Sequence, residues 1–338
     1  MTDSPHRPAR VADVAKAAGV STQTVSRVIN GVPTVSAENR EKVERAMREL
    51  DYRPNLAARM LKQRRFHTIG VATYNTFATG QLDILMGITL AAQNAGYAVT
   101  LSVFDTENGE TFKSVLDKML ALPVDGIIFV AGWLAVDPPV IELPSDKVLT
   151  VVTSLSDIPY STVGENPAEY ARDAVLHLIE HGHRNIAHIS GPERSITSQL
   201  RIKGWQNALE EYGLPTGRLY QGDWTADSGF AAGLEIANDP DITAVYASND
   251  AMAYGLMQAL EVCGKNVPGD VSVMGTDDSL VGTVPNLDLT TIKLGADEVG
   301  RVAVTRTVAA IEEGPAAEPY HCLVSATLIE RGSVRSIR

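Results

Sequence analysis

The stretch "GVSTQTVSRVINGVPTVS" (19–36) sets a glutamine, Gln23, and an arginine, Arg27, four residues apart among hydroxyl side chains. A glutamine amide both donates and accepts, as an adenine edge requires, and an arginine fork fits guanine or a phosphate. The hydroxyls of Ser21 and Thr24 and the amide of Asn30 suit phosphate oxygens. This is the chemistry of reading a DNA groove. It needs an element that shows Thr22, Gln23 and Arg27 on an exposed face, and four residues is one helical turn.

Local signals supply that element. "VADVAKAA" (11–18) has apolar residues at helical spacing and ends at Gly19, a favoured residue just past a helix. Ser21 is a good N-cap for a second helix running to about Asn30, with Val25 and Val28 turned inward. A three-residue turn, 19–21, joins the two helices, which is the plan of a helix-turn-helix. A third helix follows Ser36, and Val43, Met47 and Leu50 at helical spacing are expected to close a small core. Thr34 completes the residues of the head expected at DNA.

Charge is divided accordingly, although the chain as a whole carries a formal net charge of -12. Residues 1–65 hold 13 Lys and Arg against 7 Asp and Glu, and the remainder 16 against 34. Phosphate attraction is set within a Debye length of about 8 Å, so an acidic body does not cancel a basic head. The 338 residues suggest two or three domains of ordinary globular composition. Cys263 and Cys322 are far apart and outside any metal-ligand spacing, which favours a reducing compartment over a disulfide scaffold. "MTDSPHRPAR" has no apolar core for a secretory signal, and the apolar run 126–136 falls short of the ~20 residues of a membrane span. A cytoplasmic protein without membrane contact is expected.

Residues 11–61, "VADVAKAAGVSTQTVSRVINGVPTVSAENREKVERAMRELDYRPNLAARML", resemble without a gap the N-terminal domain of the LacI/GalR family of bacterial transcription regulators. The resemblance implies a hinge after Pro54, "PNLAARMLKQRR", that folds into a short helix on operator DNA. In it Asn55 would cap the helix, and the small Ala57 and Ala58 would let two hinge helices approach. Leu61 matches a leucine that wedges into the minor groove, exchanging unstacking energy for a bent duplex that touches more protein. Arg59, Lys62, Arg64 and Arg65 add phosphate neutralisation.

Along the rest of the chain short apolar runs recur at 68–73, 98–104, 126–131, 148–153, 186–191, 244–248, 271–275 and 290–294. Most are separated by segments that include an amphipathic helix, such as "AEYARDAVLHLIEH" (168–181). Strands alternating with helices imply parallel sheets covered on both faces, and so many strands imply two sheets with a cleft between them. Ligands of such sheets sit beyond the carboxyl ends of strands, where Asn249, Asp250, Asp277, Asp278, Trp224 and Arg201 fall. Asn249 or Asp250 could instead cap the next helix, the reading preferred for Asp250, and Asp278 reads as a turn residue. By resemblance Arg201, Asn249 and Asp277 match effector-contacting positions of the family and Trp224 a stacking position. With Thr197 these form the expected effector site. Adjacent hydroxyls paired to a charged fork, and a flat indole on an apolar ring face, suit a sugar.

The expected architecture is an all-α helix-turn-helix DNA-binding head (1–53), a hinge helix and linker (54–66), and an α/β periplasmic-binding-protein-like body of two parallel-sheet subdomains (67–338). The subdomains are expected over about 67–163 with 293–322, and about 164–292 with 323–338. Thr153 and Ala296 replace a carboxylate and an aromatic residue of galactoside-responding members, and no leucine heptad tail follows. The replacements put a galactoside in doubt while a sugar still fits, and a dimer is favoured. "HLIEH" (177–181) spells a zinc-protease motif, but its helix has the apolar face of one lying on a sheet, and no third ligand stands out downstream. No phosphate loop, nucleophile elbow or Cys/His cluster occurs, so no enzyme activity, cofactor or metal is expected.

The favoured reading is a homodimeric DNA-binding regulator, a repressor, on near-palindromic double-stranded operator DNA, controlled by a small carbohydrate. A purine corepressor or a phosphocarrier protein as co-regulator, a sugar-binding protein without DNA function, and a sugar-modifying enzyme are the alternatives.

Overall fold

The computed structural model describes residues 9–29, 32–52, 65–74, 79–104, 109–131, 141–154, 158–314 and 318–338. The chain divides into two compact units, 1–66 and 67–338.

In the first unit, α1 (Val11–Ala18), α2 (Thr22–Ile29) and α3 (Ala37–Glu49) enclose a core of Val14, Ala15, Val25, Val28, Val43 and Ala46. Gly19 closes α1 at φ 66°, the left-handed conformation that lets the chain turn at once into α2. Ser21 accepts the Thr24 N–H at 3.1 Å and Ser36 the Asn39 N–H at 3.3 Å, so both hydroxyls cap as their positions predict. Leu50 departs from the expectation. It ends α3 and is 38% exposed, while Ala46, one turn earlier, is buried and Met47 and Tyr52 pack at the margin. The core is narrow enough for alanine to fill the place assigned to leucine.

The second unit holds two six-stranded sheets. The first comprises β1 (Thr68–Tyr74), β2 (Ala98–Phe104), β3 (Gly126–Val130), β4 (Val148–Val152), β5 (Ser161–Gly164) and β11 (His321–Leu323), in the order β11-β5-β4-β3-β1-β2. The second comprises β6 (Ile186–Ser190), β7 (Leu219–Gln221), β8 (Ala244–Ala247), β9 (Ser272–Thr276), β10 (Thr290–Lys293) and β12 (Thr327–Ile329), in the order β12-β10-β9-β8-β6-β7. Every pairing is parallel except β12 with β10, so both sheets are parallel as expected, apart from this one edge. β11 runs parallel to its neighbour in the first sheet, and after three residues the chain continues directly into the second sheet as β12, which runs against β10.

The helices α4 (Thr79–Asn94), α5 (Phe112–Leu120) and α10 (Ala296–Glu313) serve the first sheet. The second carries α6 (Pro167–Glu180), α7 (Ile196–Glu211), α8 (Ala226–Ile236) and α9 (Asp250–Val262). The backbone passes between the sheets three times, after β5, after β10 and after β11. α4 and α10 cross closely because Gly87 and Gly300 lack side chains. A Cβ on Gly87 would stand 2.2 Å from the Asp297 carbonyl oxygen, and one on Gly300 2.3 Å from that of Ile84. β5, β7, β11 and β12 are the strands that apolar runs did not announce. Each has only three or four residues, with polar or half-exposed members.

Candidate functional site

In the first unit, Val25 and Val28 of α2 are buried, while Ser21, Thr22, Gln23, Arg27 and Thr34 are exposed. The side chains whose chemistry fits base edges and phosphates thus stand clear of the core. Ser21 and Thr24 are partly engaged with each other, their hydroxyl oxygens 2.9 Å apart. Asn30, Asn55, Ala58 and Leu61 lie outside the described residues, as does most of the basic hinge.

In the second unit, the carboxyl ends of the strands of both sheets open on one cleft, enclosing about 750 Å³ with its open mouth included. All five residues expected at an effector, Thr197, Arg201, Trp224, Asn249 and Asp277, line it. A continuation of about 440 Å³ runs past Thr153 and Tyr170 and shares Glu165 and Arg201 with it. Thr153 and Ala296, the two replaced positions, both face this space. Their small side chains leave room there.

Arg201 on α7 is only 6% exposed. Its Nε and Nη2 donate to the Tyr170 hydroxyl at 2.9 and 2.7 Å, and Nη1 donates to the Ser248 carbonyl. Three of a guanidinium's five N–H donors are thus committed, leaving two for the cleft. A buried cation is costly without opposing charge, and the carboxylates of Asp277 and Glu165 both act on it. Burial keeps the Tyr170 hydroxyl protonated well above its usual range.

Asp277 follows β9 at φ 103°, a strained conformation for an aspartate, and Trp224 adopts φ 76°. Strain of this kind concentrates at sites the surrounding structure holds for a purpose. Asp277 accepts the Ser279 N–H at 3.1 Å, and its neighbour Asp250 accepts from the Thr291 hydroxyl at 2.6 Å and the Ser279 N–H at 3.1 Å. Burial pushes both carboxyls up, Asp250 to about 8 and Asp277 to about 6. The Asp277 charge raises Asp250 further, whereas Ser279 and Arg201 draw Asp277 back down. The two carboxyls therefore titrate together, above the ordinary range of an aspartate.

The capping role falls to Asn249, not to Asp250. Asn249 Oδ1 accepts the Met252 N–H at 2.9 Å, and its Nδ2 donates to the Trp224 carbonyl at 2.9 Å. It thereby fixes the start of α9 and the Trp224 loop together. The Trp224 ring lies against Gly191, where a Cβ would stand 2.2 Å from it, and the Arg201 guanidinium sits 5.5 Å from its centroid. Its Nε1–H is buried without a partner. Asp278 is at φ 56° and pairs with Arg331 at 2.6 Å, consistent with its reading as a turn residue.

Glu165 is a cleft residue that no apolar run pointed to. It follows β5, and its Oε1 accepts the Gly295 N–H at 2.8 Å, joining two of the three crossing segments. Burial raises its carboxyl, and the Arg201 charge opposes that. The signal available was the cap-and-proline pair Asn166–Pro167, which marks a helix start and hence a strand end just before it.

Comparison with known proteins matches a stretch of each unit to a family. Residues 10–55 match the model for "Bacterial regulatory proteins, lacI family", and residues 175–334 that for "Periplasmic binding protein-like domain". The chain is 35% identical over 302 residues to the lactose operon repressor of Escherichia coli (strain K12), covering 89% of this chain and 84% of that one. It is 33% identical over 341 residues to the ribose operon repressor of the same organism, covering 96% and 99%. Its structure resembles that of the lac repressor dimer bound to operator and the anti-inducer ONPF, with a TM-score of 0.84 and 30% identity over 97% of this chain and 100% of that one.

Proposed function

We infer the function from one premise: the chain belongs to the lacI family of bacterial regulatory proteins. It is a DNA-binding transcription regulator, acting in the cytoplasm as a repressor. Each helix-turn-helix reads half of a near-palindromic operator through Thr22, Gln23 and Arg27, and Ser21, Thr24, Asn30 and Thr34 hold the phosphates. The hinge 54–66 adds Asn55, Ala58 and the wedge Leu61. A homodimer supplies the two halves, since two-fold symmetry in the protein imposes it on the DNA. Leu82, Met86 and Leu90 on one side of α4, with Leu101 and Val103 of β2, are each half-exposed or more and offer an apolar surface for pairing.

The effector is a small carbohydrate bound in the cleft of the body, 67–338. The supporting observation is the convergence, beyond the carboxyl ends of the strands, of a buried cation with donors to spare, a carboxylate and an indole wall. Arg201 and Asp277 grip adjacent hydroxyls, Trp224 covers the apolar ring face, and Asn249 and Thr197 set the orientation. The lactose and ribose operon repressors are named for sugars, which supports the same class here. The halves 67–163 with 293–322, and 164–292 with 323–338, act as a clamshell. The ligand favours one closure and so changes operator affinity, a coupling that is reciprocal.

The experiment is a thermal-shift screen of mono- and disaccharides against nucleobases, followed by operator binding with and without the ligand found. A sugar should raise the melting temperature and alter Trp224 fluorescence. Asp277→Asn should fold and bind operator normally but lose about 1.5–3 kcal/mol of sugar affinity. Stabilisation by a purine alone overturns the sugar assignment, and an unfolded Asp277→Asn makes Asp277 a structural turn residue.

A further inference from the structure

The segment "HLIEH" (177–181) contributes two histidines to a group whose third member arrives from the far end of the chain. His177 and His181 are one turn apart on α6 and its C-terminal end, so their rings share a side, with centroids 4.3 Å apart. Glu330 follows β12, the antiparallel edge strand of the second sheet, which packs beside α6. One ligand atom from each of His177, His181 and Glu330 lies within 4.8 Å of the others. Glu180, the acid of the sequence motif, is not a member.

His177 is 6% exposed, and its Nε2 is buried with no hydrogen-bond partner. A buried ring nitrogen in that condition is costly unless something accepts its proton or uses its lone pair. The His181 ring is already oriented. Its Nδ1–H donates to the His177 carbonyl at 2.8 Å, which leaves the Nε2 lone pair available. A backbone carbonyl on the outer nitrogen is the usual support of a metal-bound imidazole. His181 is half-buried and Glu330 exposed, so both side chains have freedom to move. Tetrahedral bonds of about 2.0–2.1 Å place ligand atoms roughly 3.3 Å apart, a closure within the reach of rotamer changes.

We propose that His177, His181 and Glu330 bind a divalent transition-metal ion of the Zn2+ type, with a fourth position open to water. Two imidazoles and one carboxylate suit Zn2+, whereas Mg2+ and Ca2+ take oxygen ligands. The ion ties α6 to the segment after β12 and stabilises the second sheet by mass action. Protease chemistry is not implied, because the Glu that would act as base is outside the group.

The test uses untagged full-length protein, stripped with a chelator and titrated with Zn2+ against a chromophoric zinc chelator. One Zn2+ per chain and a raised Tm are expected. His181→Ala and Glu330→Gln, both away from the buried core, should keep the circular dichroism spectrum. Each should weaken binding by more than the roughly ten- to hundredfold that loss of an outer partner costs. Failure of the wild type to compete with the chelator overturns the proposal. So does undiminished Zn2+ binding by the double variant His181→Ala/Glu330→Gln.

Discussion

Gln23 and Val25 sit two residues apart on α2, yet one is exposed and the other has no accessible surface. A helix turns about 200° between such positions, so the side chain that reads and the side chain that packs do not compete. Substitution at Gln23 should therefore report on recognition alone. Gln23→Ala is expected to cost about 1–3 kcal/mol on the operator and to relax preference at one base pair per half-site. Titrations against operators with single base changes measure this, and equal losses on operator and random DNA would assign Gln23 to a phosphate. Arg201 shows the opposite division. Its partners Tyr170 and the Ser248 carbonyl commit most of its fork to structure, so the residue cannot be exchanged for lysine without stranding them.

At the scale of elements, the long central strands were legible because burial on both faces demands continuous apolar runs, as in "GIIFV" of β3 and "IAHIS" of β6. Their ends located Asn249 and Asp277 by rule, while Trp224 follows the short edge strand β7. The same rule put Arg201 in the segment after β6, and the structure seats it one turn into α7, the helix that follows that strand. Glu165 was not legible, because β5 is "STVG", too short and polar to announce an end. Leu50 was misplaced by periodicity, which ranks faces but knows nothing of how much room a core leaves. The β6–α7 connection carries a prediction of its own. Gly191 leaves space that the Trp224 ring fills, so Gly191→Ala must displace the indole. Overpacking of this sort costs about 1–3 kcal/mol. Sugar affinity and Trp224 emission should change together, while operator binding without ligand stays the same. An unchanged emission spectrum would mean that the ring does not rest there.

At the scale of the whole molecule, several buried titratable groups tie stability to pH with opposite signs. His188 is stacked between Trp205 and Tyr246, with its Nδ1 2.8 Å from the Tyr246 carbonyl oxygen, and burial lowers it to about 4. His183 is lowered to about 4 for the same first reason. A histidine kept neutral contributes stability that is present above its ordinary value of 6.5 and is lost as the pH falls towards 4. Asp250 and Asp277, raised by burial, act the other way, contributing below 3.8 and losing that contribution as the pH rises through about 8 and 6. The raw profile mixes these arms, so the informative quantity is a difference. The stability advantage of wild type over His188→Gln should shrink as the pH is lowered from 6.5 to 4, read from denaturant midpoints. A constant difference would show that His188 titrates normally. The three passages between the sheets also set a timetable. The first sheet awaits its edge strand β11 and its covering helix α10, which leave the ribosome after the whole second sheet except β12. Between Gly164 and His321 synthesis at about 5–20 residues per second takes on the order of 8–30 s. For that interval the nascent first sheet has an open edge at β5, and until α10 follows one face is covered by α4 alone.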